Sequence, residues 1–171
     1  MLMRQPFADL NFTYQPPFGA TVQEKGVQFS VFSRSATAMR LLLYNNVDDM
    51  EPADVIEFDR DSDRWGDVWI LNVAGLKHGQ LYHLQASGPW DPDKGHRFDS
   101  SARLIDPYAE ALAGTFQKST DGVVRPPKCV VMGDTFDWEG DRHLRHDISE
   151  SVIYEMHVLS LIHISEPTRP Y

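Results

Sequence analysis

The chain has 171 residues, 42% apolar and 24% charged, sized for one ordinary domain with a proper core or for one domain with an added segment, so global disorder is excluded. Sixteen Lys and Arg against 25 Asp and Glu leave a formal charge of −9, the wrong sign for a surface that tracks phosphates, and neither nucleic acid nor membrane is an expected partner. Cys129 is the one thiol, which rules out an intramolecular disulfide and a cysteine-built metal cage, and the opening MLMRQPFADL lacks the apolar run of a signal peptide. Nowhere do about 18 consecutive apolar residues occur. A cytoplasmic location is the expectation.

In chain order, the first clear element is GVQFSVF at Gly26–Phe32, where Val27, Phe29 and Val31 alternate with Gln28, Ser30 and Phe32, the period of a half-buried strand. AMRLLLY, Ala38–Tyr44, is a second strand, closed by the turn-prone Asn45 and Asn46. A third covers Asp54–Phe58, before the acidic stretch Asp59–Asp63. Asp67–Val73 and Gln80–Ala86 follow, joined by a loop with Gly75 and Gly79 that reads as a hairpin with a longer turn. Short strands at close intervals without an amphipathic helix between them predict an all-β protein, a β-sandwich of immunoglobulin-like type.

Beyond Asp106 the texture changes. Pro107–Gly114 reads as one or two helical turns ended by Gly114, and Arg125-Pro126-Pro127 forbids regular structure around it. Residues 107–151 are therefore expected to be a linker, with KCVVM at Lys128–Met132 as an isolated strand or a docking segment. VIYEMHV, Val152–Val158, has no clean alternation, as suits a strand covered on both faces in a parallel sheet. The predicted organisation is an N-terminal segment 1–17, a sandwich 18–106, a linker 107–151, a strand 152–158 and a tail 159–171.

Chemistry-bearing patterns are sparse. Asp59, Asp61 and Asp63 have the opening spacing of a calcium loop, but Arg64 and Ile70 stand where such a loop needs Gly and Glu. His143 and His146 permit a metal on spacing alone, without a Cys partner and in a loop context. Asp67, Asp91, Asp106, Asp137, Glu139, Asp141 and Glu155 all sit beside aromatics, yet local spacing cannot bring two carboxylates face to face across a bond, and none is assigned as catalytic. No metal ligand and no cofactor is expected. Trp65, Trp69 and Trp90 have two readings, a stacking platform for the apolar face of a glucose ring or packing in the core or between domains. Packing is the reading favoured for all three, most strongly for mid-strand Trp69; Trp65 and Trp90 stand as the candidate sugar-binding residues.

Taken together, the segment GDVWILNVAGLKHGQLYHLQASGPWDPDKGHRFD, Gly66–Asp99, resembles the N-terminal β-sandwich of bacterial glycogen debranching enzymes and isoamylases, in the α-amylase superfamily. Four further stretches resemble the same family in the same order: GVQFSVFS at Gly26–Ser33, LIDPYAEAL at Leu104–Leu112, FDWEGD at Phe136–Asp141 and VIYEMHV at Val152–Val158. The resemblance runs from about Phe18 to Val158. It implies a carbohydrate-binding-type module, a linker and the first strand of a (β/α)₈ barrel, a fold of about 250 residues.

The implied parent hydrolyses α-1,6-glucosidic branch points in glycogen, using an Asp nucleophile, a Glu acid/base and a second Asp at the ends of later barrel strands. The present portion is expected to be inactive. Implied partners are glycogen or another α-glucan and the chain's own missing barrel. Alternatives are a noncatalytic glucan-binding module, the module of a related branching or trehalose-releasing enzyme, and an immunoglobulin-like domain for protein partners.

Two departures from the family stand out. Ser87 precedes Gly88-Pro89 where the family often has an acidic residue, and Trp90 stands where it commonly has Tyr. After Val158, Leu159–Arg169 reads LSLIHISEPTR instead of a basic residue, Gly and Phe, and resembles the translated frame of a sequencing-library adaptor. The family-like part is thus expected to stop at Val158.

Overall fold

The structure, a computed structural model, describes residues 17–118, 124–133 and 137–155. It falls into two units, Met1–Asp134 and Thr135–Tyr171. In the first, the strands are β1 (Gly19–Gln23), β2 (Gly26–Phe32), β3 (Ala38–Tyr44), β4 (Asp54–Glu57), β5 (Arg64–Trp65), β6 (Val68–Ala74) and β7 (Leu81–Ser87). Shorter ones follow: β8 (Trp90–Asp91), β9 (His96–Arg97), β10 (Ala111–Ala113), β11 (Gln117–Lys118), β12 (Val124–Arg125) and β13 (Lys128–Val130). Two antiparallel sheets form the sandwich, one ordered β1-β2-β6-β5 and the other β10-β13-β7-β3-β4.

Alternation explains which side chains meet between the sheets. Val27, Phe29 and Val31 of β2 and Trp69, Leu71 and Val73 of β6 face Met39, Leu41 and Leu43 of β3 and Tyr82, Leu84 and Ala86 of β7, in one buried cluster. The unbroken apolar run of β3 serves both its faces, since Leu42 and Tyr44 join Leu81 in a separate small cluster. β2 is less simple than a half-buried strand. Gln28 and Ser30, on its polar side, are also buried, and Phe32 is the one residue of the strand left exposed.

The predicted hairpin between Gly75 and Gly79 is not formed, because β6 and β7 lie in opposite sheets. The loop is an arch. Gly75 donates its N–H to the Lys25 carbonyl beside one sheet, Gly79 donates to Val131 beside the other, and Leu76 between them is 8% exposed within the core. Both glycines have φ near the left-handed region, +83° and +89°, which a short arch and a hairpin turn demand alike.

Two further expectations are corrected. Pro107–Gly114 is not helical: Asp106 accepts the Tyr108 N–H on its side chain and the Ala109 N–H on its carbonyl, and the chain then runs extended as β10. Nor does the sandwich stop at Asp106. β10 pairs with β13, β13 pairs with β7, and Val131 is fully buried in the core, so much of the predicted linker completes the second sheet.

The described part of the second unit, 137–155, carries one short 3₁₀ turn, Ile148–Glu150, with the Asp147 carboxylate accepting the Ser149 N–H. Val152–Glu155 form no strand. Met156–Val158 and the tail lie outside the described residues. A parallel strand is held only by hydrogen bonds to neighbouring strands.

Candidate functional site

Trp65 closes β5 and is followed by the two-residue turn Gly66-Asp67, after which β6 begins at Val68 directly opposite it. Gly66 has φ +61° at the first turn position, the conformation a primed hairpin turn requires there. Arg64 braces this hairpin. Its guanidinium donates to the carbonyls of Gly66 at 2.9 Å, Arg34 at 2.9 Å and Ala36 at 3.4 Å, and lies 5.1 Å from the centre of the Trp69 ring. The link between β2 and β3 is thus tied to the edge hairpin by one half-buried cation. Trp69 itself is core, with its indole N–H donated to the Ser33 carbonyl.

Trp90 opens the small ribbon β8-β9, opposite Arg97. The turn of the ribbon is held by local contacts: Asp91 pairs with Lys94 at 2.8 Å, and Gly95 ends the tight turn Pro92–Lys94 at φ +82° with its N–H on the Pro92 carbonyl. Gly88, just before it, packs under Phe98, whose ring would lie 2.6 Å from an added Cβ. No side chain but hydrogen fits.

Trp65 is 54% and Trp90 67% exposed, so neither is a core residue. Both belong to the same end of the sandwich. Ser33 donates to the Asp67 carbonyl and Thr37 donates to the Ser87 carbonyl, which joins the β5-β6 turn, the β2-β3 link and the end of β7 into one rim. Trp65 rises from the four-stranded sheet and Trp90 follows the five-stranded one. An exposed ion pair, Arg34 Nε to Asp67 Oδ2 at 2.9 Å, lies on this rim.

The other candidates have local structural partners. Asp63 is buried and accepts the Asp59 N–H, while Asp59 accepts the Asp61 N–H, so this acidic turn spends its carboxylates on its own backbone. His143 accepts the Arg145 N–H, and His143 and His146 are exposed. Among the described residues, no group of three or more His, Cys, Asp and Glu converges as a metal site would require.

Sequence reasoning missed a polar cluster on the outer side of the second sheet. His83, 1% exposed, has Nε2 at 3.0 Å from the Pro127 carbonyl and Nδ1 at 3.2 Å from the Tyr44 hydroxyl. The carbonyl can only accept, so Nε2 carries the proton and Nδ1 takes the Tyr44 hydroxyl proton. Burial, with the nearby Lys128 and Arg103 charges, holds His83 below its ordinary pKa. Lys128 sits 4.6 Å and Arg103 5.9 Å from the centre of the Tyr44 ring, and they donate to the carbonyls of Val47 and Met50. The cluster thereby anchors the loop after β3. Its one sequence signal was a polar His amid an apolar strand.

Comparison with known proteins settles the lineage. The model described as Carbohydrate-binding module 48 (Isoamylase N-terminal domain) matches residues 17–109. The chain belongs to this family. It is 36% identical over 159 residues to a glycogen debranching enzyme of Yersinia enterocolitica, covering 85% of this chain and 23% of that protein. It is 37% identical over 153 residues to isoamylase 1, chloroplastic, of Arabidopsis thaliana, covering 83% of this chain and 19% of that protein. The chain therefore spans about a fifth of the length of these relatives.

Among solved structures, the group B Streptococcus pullulanase SAP in complex with maltotetraose is similar, with a TM-score of 0.52 at 19% identity over 71% of this chain and 15% of that one. A product complex of the pneumococcal glycogen-degrading virulence factor SpuA gives 0.52 at 17%, over 71% and 12%. At such identities these likenesses establish the sandwich fold.

Proposed function

We propose that this sandwich is the glucan-holding module of a larger glycogen debranching enzyme of isoamylase type, which hydrolyses α-1,6-glucosidic branch points in glycogen. The observation that carries the reading is the likeness of 36–37% over 83–85% of the chain to two proteins of those names. In this reading the chemistry belongs to a (β/α)₈ barrel that follows the module. One barrel carboxylate attacks the anomeric carbon; the other protonates the departing oxygen and then takes a proton from the water that releases the sugar.

The module's part is to hold and orient the polymer. Trp65 and Trp90 are exposed indoles on one rim, suited to stack on the apolar faces of glucose rings, and a chain of charge −9 does not repel a neutral polysaccharide. The exposed apolar run Val152, Ile153 and Tyr154 becomes, in this reading, part of the first barrel strand, at Val152–Val158. No helix among the described residues is long and apolar enough to cross a membrane. The cytoplasmic placement of the enzyme, with its glycogen, rests on the likeness to a bacterial glycogen debranching enzyme.

The test is to express the gene's extended reading frame beside the 171-residue chain and measure reducing ends released from amylopectin. Release by the extended protein alone is expected. An extended protein without two Asp and one Glu at barrel-strand ends, and without branch-point cleavage, contradicts the reading.

A further inference from the structure

The strand register places three side chains in one row on the outward face of the four-stranded sheet. Phe32 is the partner of Val68 across β2-β6, and Trp65 is the partner of Val68 across β5-β6. Directly paired residues share a face, and the core face is already taken by Val31 and Trp69, so Phe32, Val68 and Trp65 all point away from the core. Along the same face the neighbouring row, Ser30 and Ile70, is buried, whereas Phe32 is 50% and Trp65 54% exposed. The face therefore surfaces at this row.

We propose that Phe32 and Trp65 form a two-ring stacking site for two glucose units of one α-glucan chain, with Val68 between them in the row. The site deepens the glucan-holding reading and rests on it, and it adds Phe32 as a contact residue. Two observations favour a sugar chain as the occupant. The two residues lie two interstrand steps apart along the row, about 9.5 Å between their backbones, a span that takes more than one hexose to cross. Val68 between them is 8% exposed, so the two flanking rings, and not a deep cleft, make up the exposed apolar surface of the row.

Polar partners also lie in the right place. The Arg34–Asp67 pair borders the row, since Asp67 precedes Val68 and Arg34 follows Phe32 by two residues, and their side chains are 76% and 35% exposed. A guanidinium donates and a carboxylate accepts, which together suit vicinal hydroxyls. A protein partner would find a patch only one row deep, far short of the area a stable interface covers.

The experiment is affinity electrophoresis of the 171-residue chain in gels containing amylopectin, with titration of maltoheptaose by tryptophan fluorescence. Phe32→Ala and Trp65→Ala are each expected to weaken maltoheptaose binding roughly 2- to 12-fold. Phe32→Tyr, which keeps the ring, is expected to bind as the parent does. Unfolding midpoints read alongside separate a lost ring from a lost fold. Binding that disappears with Trp90→Ala but is unchanged in folded Phe32→Ala and Trp65→Ala overturns this site and leaves the glucan reading standing. No retardation of the parent chain overturns both. Self-association abolished by Phe32→Ala, without any response to maltoheptaose, overturns the sugar site in favour of a second copy of the chain.

Discussion

Tyr82 donates its hydroxyl proton to Asp106 Oδ2 over 2.8 Å, with both residues buried between the sheets. The other carboxylate oxygen accepts the Tyr108 N–H, and the Asp106 N–H reaches Cys129 Sγ at 3.2 Å. One aspartate thus joins β7, β13 and the turn into β10. Burial raises its pKa above the ordinary 3.8, although both hydrogen bonds favour the charged form.

That balance sets a pH dependence. A raised folded pKa means that the native state holds its proton more tightly, so Asp106 contributes most below about pH 4 and the contribution is lost as pH rises through its folded pKa. Removing the donor with Tyr82→Phe leaves a buried carboxylate short of a partner and is expected to cost about 1–3 kcal/mol. The loss should be larger at pH 7 than at pH 3, as read by urea unfolding at both. An equal loss at the two pH values would mean that the ionised form does not depend on Tyr82.

His83 works in the opposite sense. Its folded pKa is depressed, so its contribution is present above the unfolded value of 6.5 and is lost as pH falls through and below that value. The groups that face it, Tyr44, Lys128, Arg103 and the Pro127 carbonyl, offer a protonated ring no compensating anion. The urea midpoint is expected to drop between pH 7 and pH 5, and His83→Gln, which cannot take the proton, should shrink that drop.

Arg64→Ala tests the brace behind the rim. It removes donors to the carbonyls of Arg34, Ala36 and Gly66 and the cation over Trp69, at a side chain only 16% exposed. A loss of about 1–3 kcal/mol is expected. Hydrogen exchange should quicken at Ser33–Thr37 before it quickens in β3 or β7. Uniform change across the sandwich would contradict a local brace.

Leu76→Ala tests the arch. A side chain wedged between the sheets should cost about 2–5 kcal/mol when truncated, whereas the tip of a solvent-facing hairpin costs within about 0.5 kcal/mol. Thermal or urea unfolding reads the difference directly.

Much of the sandwich is legible in the residues, and the reason is periodicity. Val27, Phe29 and Val31 declare a face, and β3, β6 and β7 declare themselves by apolar and β-branched content. Period 2 fixes a face but not a sheet, which is why Gly75–Gly79 reads as a hairpin and folds as an arch. Pro107–Gly114 misleads because Ala, Glu and Leu favour helix, while the Asp106 side chain captures the Tyr108 N–H and β13 supplies a strand partner. Trp65 and Trp90 were identifiable as candidate sugar contacts. Phe32 was not, because only the register of β2, β6 and β5 aligns residues so far apart in sequence.

The central property proposed for this fold is the holding of an α-glucan. Affinity electrophoresis of the 171-residue chain in glycogen measures that most directly: retardation that grows with glycogen concentration and diminishes in Trp90→Ala is predicted. Mobility equal to that of an inert protein at every glycogen concentration would contradict it.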